Sequence, residues 1–231
     1  MIFRNSLNYI SQFFFFFTNK TRNIYLNSSI YNNKISKIED KNLEYKPSPS
    51  LLDCLIKYEK KKIKIEDFSL NSIWSNNNMN NKDYKKLHSF FWLFSLDLKS
   101  SKKSTQSTIE NWIESNQKYN FKNWDTDILP KRIIAWISNS KLTYEDSNED
   151  YKKKFNATVQ KQVNHLINEI ERSEWIDDKM IGCSAIILTG LAYKNNSRYL
   201  SFGINLLKKI IKFSFDDNGF PKSRNIRQLT F

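Results

Sequence analysis

The 231-residue chain is 39% hydrophobic and 15% aromatic and carries a formal net charge of +13. That apolar content is enough for a substantial core and excludes wholesale disorder, while the length allows one good-sized domain or two small ones. Only four glycines and four prolines occur, too few for the many tight turns of a β-sandwich or barrel, so helices are expected.

In chain order, the first thirty or so residues read as an amphipathic helix, apolar at Ile2, Leu7, Ile10, Phe13, Phe14 and Phe17. The run Phe13 to Phe17 lies between Ser11-Gln12 and Thr18-Asn19-Lys20. It falls short of the roughly 7–15 apolar residues of a signal peptide, has no small-residue cleavage site after it, and spans no bilayer. On that basis alone the compartment is the cytoplasm. Residues 31–80 are rich in Asn and Ser, carry Pro47 and Pro49, and alternate around Ile63 and Ile65. One or two short strands in an otherwise irregular lead-in are expected there. The division is therefore a lead-in over 1–80 and a helical domain over 81–231.

From Tyr84 the pattern is helical. Leu87, Phe90, Phe91, Phe94 and Leu98 share one helix face, and Ile109, Trp112 and Ile113 mark a second helix. A third begins within "WDTDILPKRIIAWIS", with Asp127 as N-cap, Pro130 in the first turn and Ile133, Ile134 and Ile137 as the buried stripe. A fourth follows Ser147 and Asp150, which resemble a capping box, and buries Phe155, Val159, Val163, Leu166, Ile167 and Ile170. A fifth, near Met180 to Tyr193, is apolar almost all round and belongs inside. A sixth is amphipathic through Tyr199, Phe202, Leu206, Ile210 and Phe213, and Asn218-Gly219 ends it with a turn. A buried helix between amphipathic ones suits concentric layers, either an α/α toroid or an ordinary bundle.

Candidate chemistry is sparse. The charge suits a polyanion partner, but the lysines are scattered, with runs no longer than Lys60–Lys62 and Lys152–Lys154. Nucleic-acid binders gather charge on a stripe, so no nucleic acid is expected. Cys54 and Cys183 are far apart and have no histidine nearby, so neither a metal site nor a disulfide is expected. His88 and His165 read as packing residues, and Asp177-Asp178 as the capped, dipole-stabilised start of the fifth helix. Arg132 and Trp136, four residues apart, share a helix face. They could form a platform for an acidic sugar, or a guanidinium stacked on an indole at the core rim, worth ~0.5–2 kcal/mol.

The series "LHSFFWLFSL", "TIENWIESN", "WDTDILPKRIIAWISNS", "VQKQVNHLINEI", "AIILTGLAY", "YLSFGINLLKKII" and "DDNGFPKSRNIRQL" resembles the N-terminal helical domain of heparinase II/III-like polysaccharide lyases, bacterial heparinase-like branch. The likeness runs from Leu87 to Leu229, about three fifths of the chain. "KIKIEDFSL" and "IWSNNN" are also similar to that branch's lead-in. The resemblance implies an all-α fold, a partial α/α toroid of paired inner and outer helices behind a short irregular lead-in, and in the full-length parent a following β-sandwich. It implies cleavage of uronate-containing polysaccharide by β-elimination in active members, and work at the cell envelope. It requires no cofactor.

The family's catalytic positions are changed. Its Asn-His pair falls at Asp177-Asp178, its turn histidine near Pro221 and its tyrosine near Gln228, while Arg224 matches the turn's arginine. No catalytic residue carries over. Arg132, Trp136 and Arg224 are the residues expected to face the groove and hold substrate, with acidic polysaccharide as partner. Because no sandwich follows Phe231, the chain is expected to be a fragment or remnant of a longer protein.

Overall fold

The computed structural model describes residues 18–39, 41–44, 74, 79–96, 102–194, 197–220 and 222. The chain's strand expectation near Ile63, the N-terminal part of the first helix, Leu98 and Arg224 lie outside them. Among the described residues the protein is all-helical, with no strand. α1 covers 18–26 and α2 Ser29–Ile35, so part of the expected irregular lead-in is helix. Then come α3 (Asn81–His88), a 3-10 turn (Phe91–Ser95), α4 (Lys102–Ser115), α5 (Leu129–Ser138), α6 (Ser140–Thr143) and α7 (Glu149–Glu169). A second 3-10 turn (Ile170–Arg172), α8 (Ile176–Ala192) and α9 (Ser197–Ser214) complete the order. No helix among the described residues is long and apolar enough to cross a membrane.

The single helix expected from Leu87 to Leu98 is broken. α3 stops at His88, and Phe90 adopts φ 56°, a left-handed conformation that costs a non-glycine residue roughly 1–2 kcal/mol. Packing offsets that cost. The reversal delivers Phe90, Phe91, Trp92 and Leu93 into the core, where the Phe90 ring meets Trp136 edge-on at 5.3 Å and Trp112 at 5.9 Å. Edge-to-face pairs of this kind add about 0.5–1.5 kcal/mol each beyond the area they bury.

Two helix starts are displaced from their expected caps. Asp127 does not cap α5; its N-cap is Ile128, without a side-chain bond, and Asp127 pairs with Lys85. α7 is capped by Asn148, whose Oδ1 accepts from the Tyr151 amide at 2.8 Å, while Ser147 donates to the Tyr144 carbonyl. Most of the apolar stripes fall as expected: Ile109, Trp112, Ile113, Ile133, Ile134, Ile137, Phe155, Val159, Val163, Leu166 and Ile170 are buried, while Ile167 and Phe202 are half-buried and Phe213, at the end of α9, is exposed.

α8 packs chiefly on α9 and α5 and also touches α7. Ile186 is fully enclosed, but the remaining flank is open: Ser184 and Leu191 are exposed and Met180 and Leu188 half-buried. α8 is thus less enclosed than its apolar sequence implies. Its contact with α9 depends on close backbone approach. A Cβ built on Gly190 would lie 2.8 Å from Leu200 Cγ and 3.1 Å from the Leu200 amide nitrogen.

The lead-in is docked along α7 by side-chain amides. Asn156, Gln160 and Asn164, spaced by four, are buried on one face of that helix. Asn164 donates to the carbonyls of Ile35 and Lys37, and Gln160 both donates to and accepts from the Glu39 backbone at 2.9 Å. Asn156 donates to Asn42 Oδ1 at 3.1 Å. Expected outcome: Gly190→Val forces α8 and α9 apart and destabilises by about 1–3 kcal/mol. Scanning calorimetry would then read a midpoint lowered by roughly 2–4 °C per kcal/mol for a chain of this size. An unchanged midpoint would contradict the close approach.

Candidate functional site

Arg132 and Trp136 do not face a groove. Both have 0% exposure, so neither can touch a sugar. The spacing placed them correctly on one helix face, but that face is the core side of α5. Arg132 donates from Nε to Gln162 Oε1 at 3.1 Å, from Nη1 to the His88 carbonyl at 3.0 Å and from Nη2 to the Asn123 carbonyl at 2.9 Å. Its guanidinium stacks on the Trp112 ring, not on Trp136, 4.2 Å from the centroid. Burial lowers its pKa. The three neutral acceptors and the indole face replace its lost water and favour the charged form. Trp136 packs against Phe155 at 5.4 Å and Trp112 at 5.5 Å, and its Nε1 finds no acceptor among the described residues.

Both histidines are sealed and neutral. Trp112 Nε1, a donor only, bonds His88 Nδ1 at 3.0 Å, so that nitrogen must offer its lone pair. His165 Nδ1 lies 2.8 Å from the Tyr31 hydroxyl, and its ring packs against Tyr119 and Trp124. Burial, then a nearby Arg, pushes each imidazole down to about 3. Neither can exchange protons with a substrate. Cys183 is buried, with its thiol pushed up to about 12 by burial. No group of three His, Cys, Asp or Glu side chains among the described residues could hold a metal ion.

What the sequence did not single out is a surface cleft of about 430 Å³ between α3 and the loop leading into α5. Asn81, Tyr84, Lys85, Phe121, Lys122 and Asp125 line it. α3 presents Tyr84 and Lys85 on successive positions; the Tyr84 hydroxyl donates to Asn123 Oδ1, and Lys85 pairs with Asp127. Phe121 is 62% exposed, an unusual position for a bare phenyl ring, and Lys122 Nζ lies 6.0 Å from its centroid. The only advance signal was "YNFKNWD", an aromatic and lysine cluster in a turn before a helix.

Beside the cleft, the same loop meets the first turn of α8. Asp178 accepts from Thr126 Oγ1 and from Ser173 Oγ, each at 3.3 Å. Burial first, and then the neighbouring Asp127 charge, raises the Asp178 carboxyl above its ordinary range. Asp177 does not cap α8, whose N-cap is Trp175, and its Oδ1 is buried without a hydrogen-bond partner among the described residues. The arrangement can bind: it combines ammonium groups, an exposed ring and hydrogen-bonding side chains.

Two outcomes follow. Arg132→Lys loses the guanidinium fork and leaves at least one buried carbonyl unpaired, costing about 1–3 kcal/mol of stability in urea unfolding. The histidines give a pH signature. Their folded pKa values lie below the unfolded value of about 6.5, so the unfolded chain binds more protons between pH 6.5 and 3. Stability is full above pH 6.5 and falls on acidification by up to about 1.4 kcal/mol per pH unit per histidine. A urea midpoint that stays flat from pH 7 to 4 would refute sealed histidines.

No family model, curated protein or solved structure matches the chain.

Proposed function

We propose that the chain is the N-terminal, substrate-holding portion of a heparinase II/III-like protein, acting on acidic polysaccharide without performing elimination itself. The observation that carries this reading is the cleft lined by Lys85, Lys122, Tyr84 and exposed Phe121 on a strongly basic chain. A phenyl ring suits the apolar face of a pyranose, and ammonium groups suit uronate or sulfate. Arg132 and Trp136, both fully buried, serve as the scaffold that positions the cleft, and Arg224 is a further candidate contact.

The toroid belongs to the same proposal. Its support is that the two most apolar helices, α5 and α8, pack on each other, with the amphipathic α4, α7 and α9 around them. Elimination needs a base that reaches the proton α to a carboxylate. The two histidines are enclosed, and Tyr84 is held by Asn123 with its pKa raised by burial. The competing reading, a helical glycan- or protein-binding module outside that family, shares the cleft but not the substrate class.

The experiment is calorimetric titration with a heparin oligosaccharide, a neutral dextran and duplex DNA of matched length. Expected are binding of the acidic oligosaccharide alone, no ultraviolet signal of an unsaturated uronate, and weakening by about 1.5–3 kcal/mol in Lys85→Ala/Lys122→Ala, the range for hydrogen bonds to charged groups. Equal affinity for DNA, or no loss in the double variant, would sink the reading.

A further inference from the structure

α8 and α9 leave one flank of the fold open, and that flank is an uncharged strip. On α9 the side chains of Leu200, Ile204, Leu207 and Ile211 recur by four, three and four residues and so share a face. Leu200 and Leu207 are half-buried, while Ile204 and Ile211 stand 42% and 48% exposed. On α8 the same spacing gives Met180, Ser184, Ile187 and Leu191, the last 40% exposed. The two rows join where the helices touch: a Cβ built on Gly203 would lie 2.6 Å from Ile187 Cγ1, and Gly190 meets Leu200. Neither row carries a charge, and contiguous exposed apolar surface marks a place where something docks.

The adjoining face of α9 is basic. Arg198, Lys208 and Lys212 are exposed along it, and among the described residues none of them forms an ion pair. α9 carries these cations and Lys209 and no acidic residue at all. The carboxylates near its end lie outside the strip: Glu171 is held by Lys209 at 3.0 Å, Glu174 and Asp177 flank the start of α8 before Met180, and Asp216 and Asp217 follow Ser214. At the other end Lys194 pairs with Glu44 at 3.6 Å. An apolar row edged by lysine and arginine is the pattern of a helix lying in a lipid interface, with its apolar side buried about 5–10 Å and its cations at the headgroups. From Leu200 to Ile211 the row runs roughly 16 Å along the helix.

We propose that this strip docks on an anionic lipid leaflet, with α9 lying in the plane of the interface. Leu191, Ile204 and Ile211 enter the acyl boundary, and Arg198, Lys208 and Lys212 meet the phosphate headgroups. Charge complementarity selects this occupant. A second copy offers the same uncharged strip but also the same unmatched cations, and α9 has no acidic residue to receive them. A free acidic polysaccharide satisfies the cations and leaves the exposed isoleucines in water. An anionic leaflet takes both. The strip belongs to α8 and α9, whereas the cleft belongs to α3 and the loop before α5, so the inference does not rest on the carbohydrate reading.

The test is co-sedimentation of the full chain with phosphatidylcholine vesicles, alone or mixed with phosphatidylglycerol. Expected is binding to the mixed vesicles only, weakening as salt is raised. Each cation at such a surface contributes roughly fivefold to partitioning, so Lys208→Gln/Lys212→Gln should lower it by about tenfold or more without altering heparin oligosaccharide binding. Ile204→Ser/Ile211→Ser, at side chains the core does not enclose, should also cost about tenfold with the thermal midpoint preserved. In a Cys54→Ser background, Ile211→Cys carrying a polarity-sensitive dye should shift its emission to the blue on the mixed vesicles. Equal binding to both vesicle types, binding to neither, full retention by the glutamine variant, or a dye that stays in water would each overturn the inference. A vesicle-free dimer dissolved by the serine variant would overturn it in favour of a second copy. Loss of heparin oligosaccharide binding in the glutamine variant would overturn it in favour of a polysaccharide site on α9.

Discussion

One buried cation organises this fold. Arg132 has no carboxylate partner among the described residues; it is held by a carbonyl from the end of α3, a carbonyl from the loop before α5, the Gln162 amide of α7 and the face of Trp112 in α4. Moving any of those four elements takes a partner from a charge held in the interior, and a hydrogen bond to a charged group is worth about 1.5–3 kcal/mol. The constraint reaches the surface. His88 and Asn123, whose carbonyls Arg132 fixes, lie next to Tyr84 and Phe121 on the walls of the cleft, and Asn123 also accepts from Tyr84. A residue with no exposed atom thus sets the shape of the site.

A second polar device governs the lead-in. The amides of Gln160 and Asn164 hold a stretch of mostly irregular chain to α7 by bonding its backbone, and Asn156 adds a bond to the Asn42 side-chain oxygen. Backbone groups with few partners of their own need such acceptors and donors once buried. Tyr31 then closes against His165, and Arg22 against Glu169. Hydrophobic burial alone would leave the register of this segment loose; directional bonds at four-residue intervals fix it.

The distinction between apolar and polar order explains what could be read in advance. Ile133, Ile134 and Ile137, or Phe155, Val159 and Val163, repeat at the helical period, and burial follows directly from that repeat. The break at Phe90 was invisible because "FFWLF" is apolar in any register, and the left-handed turn is imposed by Trp112 and Trp136, which arrive later in sequence. Asn156, Gln160 and Asn164 carry the same periodicity as a core stripe but are written in residues that normally mark a wet face. Arg132 and Trp136 illustrate the same limit: spacing places two side chains on one face and is silent about which way that face turns. The cleft was missed for a related reason. Phe121 and Lys122 form no repeat and acquire meaning only when α3 folds beside their loop.

The electrostatics of the cleft bear on how an acidic ligand would be accommodated. Lys85 is already engaged with Asp127, and Asp127 lies close enough to Asp178 to raise its carboxyl. An incoming carboxylate or sulfate that recruited Lys85 would take away the cation shielding Asp127, whose Oδ1 has no hydrogen-bond partner among the described residues. The Asp178 carboxyl would then have less positive charge near it. Burial, and then the Asp127 charge, already hold the Asp178 carboxyl above its ordinary range, and Thr126 and Ser173 each bond it at 3.3 Å. An acidic ligand that recruited Lys85 would therefore act on the same pair of carboxylates that borders the first turn of α8.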